Sequence, residues 1–448
     1  MYGDEKKHYM MVRDYGLTLL KANPGSTIQI ATIPQPDGTV IFDIMYVCLS
    51  GCRDGFKAGC RPLIGLDDAF LKTQFGGQIL SAVGQDANHH IYVIAWGLVP
   101  AMQEVMPRVH HRFCVWYLWR NFNKNWKDLE LRGLLWECAR ATTFQEFRDT
   151  MNKIKRISED AWAYLNKWPR DSWTKCQFSH KPKLDSICNN ACEVFNSKIK
   201  EARAKPIITL LEEVRMFVMR TIARNKVKLS NHVGKLPPVI KSILEKVRKE
   251  SKNWHPIWTG NDGYEKFEVH GYSTNHVVDL GKKLCTCQFW MLTGIPCVHA
   301  CAALSRVNKS PDDFCHPLVT MESYKATYNH HINPIPGQLL WEVSEFNKPR
   351  APKVKRPPEK LKMKRRMDSD EKHGGGKRSR IDIKNNDNTH LKRQLGKFTC
   401  SYCGDKGHTK RGCKKKRLAD AAVAAAATVE AATKNSLNKF TRIYFIHI

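Results

Sequence analysis

A chain of 448 residues exceeds the roughly 250 to 300 over which a single hydrophobic core keeps growing, so two or three domains are expected. Hydrophobic residues at 42% and aromatics at 10% supply material for a core and exclude global disorder. Against 43 acidic residues stand 73 lysines and arginines, and the net charge of +30 points to a polyanionic partner, nucleic acid first.

Near the start, YGLTLLKA has helical spacing and is stopped by Asn23-Pro24-Gly25, after which TIQIATI reads as a strand. Leu63 to Leu66 is an apolar run ending on Asp67 and Asp68. QILSAVG and HIYVIAW follow, separated by the turn-like DANHH, and together these predict three neighbouring strands. From Val109 to about Glu250 helices are favoured, among them VWYLWRNF and ITLLEEVRMFVMRTIA, whose Leu210, Leu211, Val214, Phe217 and Val218 share one face suited to a core. FEVHG and HVVDL return to a strand pattern. After Phe346 the chain becomes KPRAPKVKRPPEKLKMKRR and then HGGGKRSR, which reads as a disordered basic linker over 347–398. The alanine-rich stretch beginning at Leu418 predicts a weak helix or tail over 418–448. Much of the charge is local: from Lys348 to Arg417 there are 25 basic and 7 acidic residues, a surplus of 18. No apolar run has the roughly 18 residues of a membrane span, and MYGDEKKHY lacks a signal-peptide core, so a soluble intracellular protein with no membrane partner is expected.

In a reducing compartment 16 cysteines are better metal ligands than disulfides, and six fall in two tight clusters. Cys400, Cys403, His408 and Cys413 have the spacing C-x2-C-x4-H-x4-C, three thiolates and one imidazole for a closed tetrahedral zinc site, with Gly404 and Gly407 where so short a loop must turn. This is the ligand spacing of the zinc knuckle of retroviral nucleocapsid type, placed at 399–415. So small a module buries no core, and its surface is left for binding: Tyr402 offers a stacking face, and Lys406, Lys410, Arg411, Lys414, Lys415, Lys416 and Arg417 offer phosphate contacts. Cys285, Cys287, Cys297 and His299 form a second set, C-x-C-x9-C-x-H. Alternation along a strand points both side chains of C-x-C to one side, and Pro296 suits the start of a helix carrying His299. The pattern resembles the SWIM zinc finger, here over 264–305, so two zinc ions are expected.

NPGS at Asn23 to Ser26, GFKAGCRPLIGLDDAFLKTQFGGQILSAVGQD from Gly55, HHRFC from His110 and NNACEVFN from Asn189 resemble the transposase of plant Mutator-like elements (MULE transposases), with the SWIM finger and the knuckle following in family order. The resemblance covers about residues 15 to 415. It implies an α/β protein with a flank at 1–54, an RNase H-like domain of mixed sheet and helices at 55–250, and a triad of carboxylates, of which Asp67 and Glu193 are the matching positions. Such a triad performs phosphoryl transfer with two divalent metals, magnesium in an active core. The middle aspartate, in a motif of the kind SDxxKG, is missing: HIYVIAW runs directly into GLVPAMQEVMPRVHHRFC, as if one helix and one strand were excised between about Ala95 and Gly97. Asp86 in a hairpin turn and Glu104 on the following helix do not replace it. Tyr117 also stands where the family usually has the histidine of a C-x2-H pair with Cys114.

Three functions follow from the resemblance: a catalytically inactive zinc- and nucleic-acid-binding protein of transposon origin; an active transposase cutting and joining DNA; or a transposase-derived transcriptional regulator. The basic run KVKRPPEKLKMKRR suits nuclear import, so a nuclear location is expected. An incomplete sheet with an unpaired edge is expected.

Overall fold

The computed structural model describes residues 5–98, 111–272, 274–355, Cys403 and the strand 443–447. Residues 1–363 with 442–448 make one unit and 364–441 another. Every element below belongs to the first. Among the described residues no helix is long and apolar enough to cross a membrane.

After α1 (Glu5–Met10), the helix over YGLTLLKA is α2 (Val12–Ala22). It ends where Pro24 offers no N–H and Gly25 takes φ +77°, a left-handed turn that glycine adopts freely. Strands β1 (Thr27–Pro34) and β2 (Val40–Cys48) form a hairpin, α3 (Ser50–Gly59) follows, and the expected three strands are β3 (Leu63–Phe70), β4 (Gln78–Gln85) and β5 (Ile91–Leu98), an antiparallel meander. β5 is buried along almost its whole length and pairs with β2, joining the hairpin to the meander. The boundary expected at 54/55 therefore falls inside α3, and residues 27–48 belong to the same sheet as Asp67. Gly59 lets α3 approach α13 (Met321–Tyr328): a Cβ there would lie 1.9 Å from the carbonyl oxygen of Ser323.

A short β6 (His111–Phe113) precedes a helical layer, α4 (Val115–Asn125), α5 (Leu129–Arg140), α6 (Phe144–Ile157) and α7 (Glu159–Asn166), packed on its own core with Trp119, Phe122, Leu135 and Trp173. A capping box between Thr143 and Glu146 fixes the start of α6. Helices α8 (Asn190–Lys198) and α9 (Ile207–Lys228) return to the sheet, α9 burying Leu210, Leu211, Val214 and Val218 with Phe217 half-buried, the face its spacing predicts. After α10 (Pro238–Glu250) comes a four-stranded antiparallel sheet, β7 (His255–Trp258), β8 (Lys266–His270), β9 (Asn275–Asp279) and β10 (Leu284–Cys285), with α11 (Phe289–Thr293) and α12 (Val298–Arg306) against it.

Three sequence expectations are corrected. The chain's last described segment is a strand, β11 (Ile443–His447), within the stretch expected to be a weak helix or tail, and it lies between β3 and β6. It runs antiparallel to both, with Ile443 opposite Asp67, His447 opposite Leu63 and Phe445 opposite both Gly65 and Arg112. An unpaired sheet edge is expected, yet the edge of β3 is occupied, since backbone N–H and C=O groups accept any strand that can reach them. The first residues of the linker expected to be disordered from 347 are also ordered: Arg350 accepts from Phe42 N–H and donates to the Val40 carbonyl at 2.9 and 2.8 Å, and Lys355 N–H donates to Gln74. β5 covers β2 only at Met45 to Val47, so Val40 to Phe42 are left an edge for this segment.

Candidate metal centre

Cys285 closes β10, opposite Val278 of β9, and Cys287 follows in the turn that leads to α11. Gln288, at φ +64°, takes the left-handed conformation that swings the chain away after the second thiol. Cys297 is the N-cap of α12, its sulfur accepting from Ala300 N–H at 3.4 Å, and His299 lies in the first turn. The ligand atoms of Cys285, Cys287, Cys297 and His299 all lie within 4.8 Å of one another, and among the described residues this is the one group of three or more such side chains so gathered.

The separations fit zinc. A tetrahedral ion with Zn–S of about 2.3 Å and Zn–N of about 2.0 Å sets sulfur–nitrogen distances of about 3.5 Å. His299 Nδ1 lies 3.5 Å from Cys285 Sγ and 3.8 Å from Cys297 Sγ. Without a cation the thiols compete for protons: hydrogen bonds from Cys285 and Cys297 hold the Cys287 thiol far below its usual range, while the Cys285 thiol is pushed up to about 12, first by its hydrogen bond with Cys287. A divalent cation resolves that conflict by taking all three as thiolates. The centre is dry, with Cys285, Cys297 and His299 each 5% exposed or less. Trp254 meets the His299 ring edge-on at 4.1 Å, and His276 stacks on it at 4.0 Å. Neither wall residue is predicted by ligand spacing. Trp254 lies outside the cluster, and His276 is visible only as the first residue of HVVDL.

The carboxylates implied by the transposase resemblance lie in the other core. Asp67, on β3, is 6% exposed and accepts from Asn196 Nδ2 of α8 at 2.7 Å. Burial pushes its carboxyl up to about 7; the Asn196 bond opposes this, and the charges of Asp68 and Glu193 add to it. Glu193, one turn before Asn196 on α8, is exposed and close enough to act on both Asp67 and Tyr117. Asn196 belongs to NNACEVFN, but its role is visible only once β3 and α8 are in contact. Asp86 is wholly buried and structural, accepting from Asn88 N, His90 N, His90 Nδ1 and Tyr328 OH at 2.7 to 3.0 Å. Cys114 accepts from Asn189 N–H at 3.4 Å and has Cys188 for its thiol partner, the latter's bond raising it. Glu104 and the knuckle residues Cys400, Tyr402, Lys406, His408, Lys410, Arg411, Cys413, Lys414, Lys415, Lys416 and Arg417 lie outside the described residues; of that cluster Cys403 alone is described.

Residues 276–308 match the SWIM zinc finger, and all four ligands fall inside the match. No curated protein and no solved structure matches the chain. The chain therefore carries a SWIM-type zinc finger set beside a mixed α/β core.

Proposed function

We infer that the chain is a nuclear zinc- and nucleic-acid-binding protein descended from a plant Mutator-like transposase, with two zinc sites and no transposase activity of its own. The observation that carries the binding reading is the gathered cluster of three cysteines and one histidine, together with a basic surplus of 18 between Lys348 and Arg417. A closed four-ligand zinc site supplies folding free energy and keeps no open coordination position for catalysis. The SWIM finger and the C-x2-C-x4-H-x4-C knuckle then serve as small binding platforms, and the basic run binds phosphates through counterion release. Descent from a transposase is supported by the neighbourhood of Asp67 and Glu193, brought together from β3 and α8 although 126 positions apart in numbering. The same neighbourhood favours a second reading, an active enzyme using magnesium. Against it, the further acid whose charge reaches Asp67 is its own neighbour Asp68, which strand alternation turns to the other face of β3, and two-metal phosphoryl transfer needs ligands that hold both ions in line.

Metal analysis of the purified full chain tests the first reading. Two zinc ions per chain are expected, with Cys297→Ser and Cys403→Ser each removing one; a single zinc unaffected by Cys403→Ser removes the knuckle. Incubation with terminal-inverted-repeat DNA in magnesium or manganese tests the second: nicking or strand transfer that disappears in Asp67→Ala and Glu193→Ala establishes the enzyme and overturns the inactive reading.

A further inference from the structure

Between the β4–β5 turn, α8, α9 and α13 lies a cavity of about 630 Å³. Its lining includes Lys198, Arg224 and Lys228 and contains no aspartate or glutamate. A neighbouring cavity of about 750 Å³ shares Phe217, Thr221 and Arg224 with it and adds Arg220, so the two make one groove along α9. Arg220, Arg224 and Lys228 recur every four residues and form one row, with about 6 Å of helix rise between successive cations. Lys198 stands on α8 across the groove. All four are exposed, and among the described residues none makes an ion pair or a side-chain hydrogen bond. The acids bordering the second cavity are already neutralised, Glu212 by Arg215 and Glu213 by Lys205. Beneath the cations the groove is apolar: Val194 is 44% exposed, and the half-buried Phe217 packs on Phe195 at 5.8 Å.

Cations held in a row without partners repel one another and remain hydrated unless an anion meets them, and a row of them matches a repeating anion better than a single one. The apolar floor with an aromatic ring adds what a bare phosphate has no use for, a surface on which bases can rest. We propose that this groove is a nucleic-acid surface separate from the basic tail, taking a single strand whose phosphates lie along Arg220, Arg224 and Lys228, with Lys198 closing the opposite side and bases against Val194 and Phe217. The inference rests on the nucleic-acid reading above and gives the folded unit its own share in it.

The test is photocross-linking of the full chain to a 5-bromodeoxyuridine oligonucleotide, with peptides mapped by mass spectrometry. Cross-links are expected both in the tail and in peptides spanning 89–93, 194–198 or 217–228. The triple variant Arg220→Gln, Arg224→Gln, Lys228→Gln should lose the second set and keep the first. Its plot of log affinity against log salt should also be shallower by about 2, at about 0.7 per phosphate contact on single strands. These side chains are exposed, so an unchanged circular dichroism melt is expected and separates lost binding from lost folding. Cross-links confined to the tail, with an unchanged salt slope in the variant, overturn the groove and leave the proposed function standing; no binding anywhere overturns both. If polyglutamate at equal charge abolishes the groove cross-links as readily as unlabelled oligonucleotide does, the groove reads charge alone and the assignment to nucleic acid fails.

Discussion

Replacing Asp67 by asparagine should make the protein more stable in mild alkali, and the size of the gain follows from the burial of that carboxyl. In the unfolded chain the group loses its proton near its ordinary value of 3.8, whereas in the fold it does so at about 7. Between these values the folded chain holds a proton that the unfolded chain has released, so stability falls as pH rises through this window. About three pH units at about 1.36 kcal/mol each give an upper bound of about 4 kcal/mol by pH 8, and none of it is lost below pH 4. An asparagine side chain in the same place keeps an oxygen to accept from Asn196 Nδ2 and has no charge to desolvate, so the variant should lack this pH dependence. Urea unfolding of both proteins at pH 4 and pH 8, followed by tryptophan fluorescence, reads the difference: the midpoints should be close at pH 4 and should diverge at pH 8 in favour of Asp67→Asn. Parallel pH slopes would refute the reasoning, because the carboxyl would then be solvated in the fold. A wild-type gain on adding magnesium at pH 8, absent from the variant, would instead show the carboxylate serving as a metal ligand and would favour the enzyme reading.

Three further outcomes test the architecture. Gly59→Ala forces a Cβ to within 1.9 Å of the Ser323 carbonyl oxygen, so α3 and α13 must separate, and a loss of about 1 to 3 kcal/mol is expected by thermal or urea denaturation. Tyr328→Phe removes the 2.8 Å donor to the buried Asp86 carboxylate and should cost about 1 to 3 kcal/mol by the same measurement, with no effect on zinc content. Phe445→Pro removes a backbone donor from a strand paired on both sides; it should raise hydrogen exchange in β3 and β6 and promote association through the freed edge, and unchanged exchange there would mean that β11 does not hold its place.

What the sequence revealed depended on how far apart the partners lie. The SWIM ligands are legible because Cys285 to His299 are set by a strand end, a turn and a helix start, each with its own local signal. The β3–β4–β5 meander is legible for the same reason, since apolar runs alternate with turn residues. Asp86 could be assigned to a hairpin turn but not to a buried network, because its Tyr328 donor comes 242 residues later. The place of β11 was equally hidden: IYFIH is a plain strand pattern that names no partner. Its occupation of the slot beside Asp67 is decided by backbone pairing, which one sequence position cannot advertise to another. The ordered start of the basic linker is not legible because its composition favours disorder, while the uncovered edge of β2 that captures Arg350 exists only in the assembled sheet.

The position of β11 also sets a timetable for the sheet. About 380 residues separate Asp67 from its pairing partner Ile443, and a ribosome adding about 5 to 20 residues per second needs roughly 20 to 80 s to bridge them. During that interval β3 must sit beside an open slot while the helical layer and the zinc finger emerge and fold. The nascent chain therefore spends most of its synthesis with one edge of β3 open to capture, and chaperone demand during translation should exceed that of the finished protein.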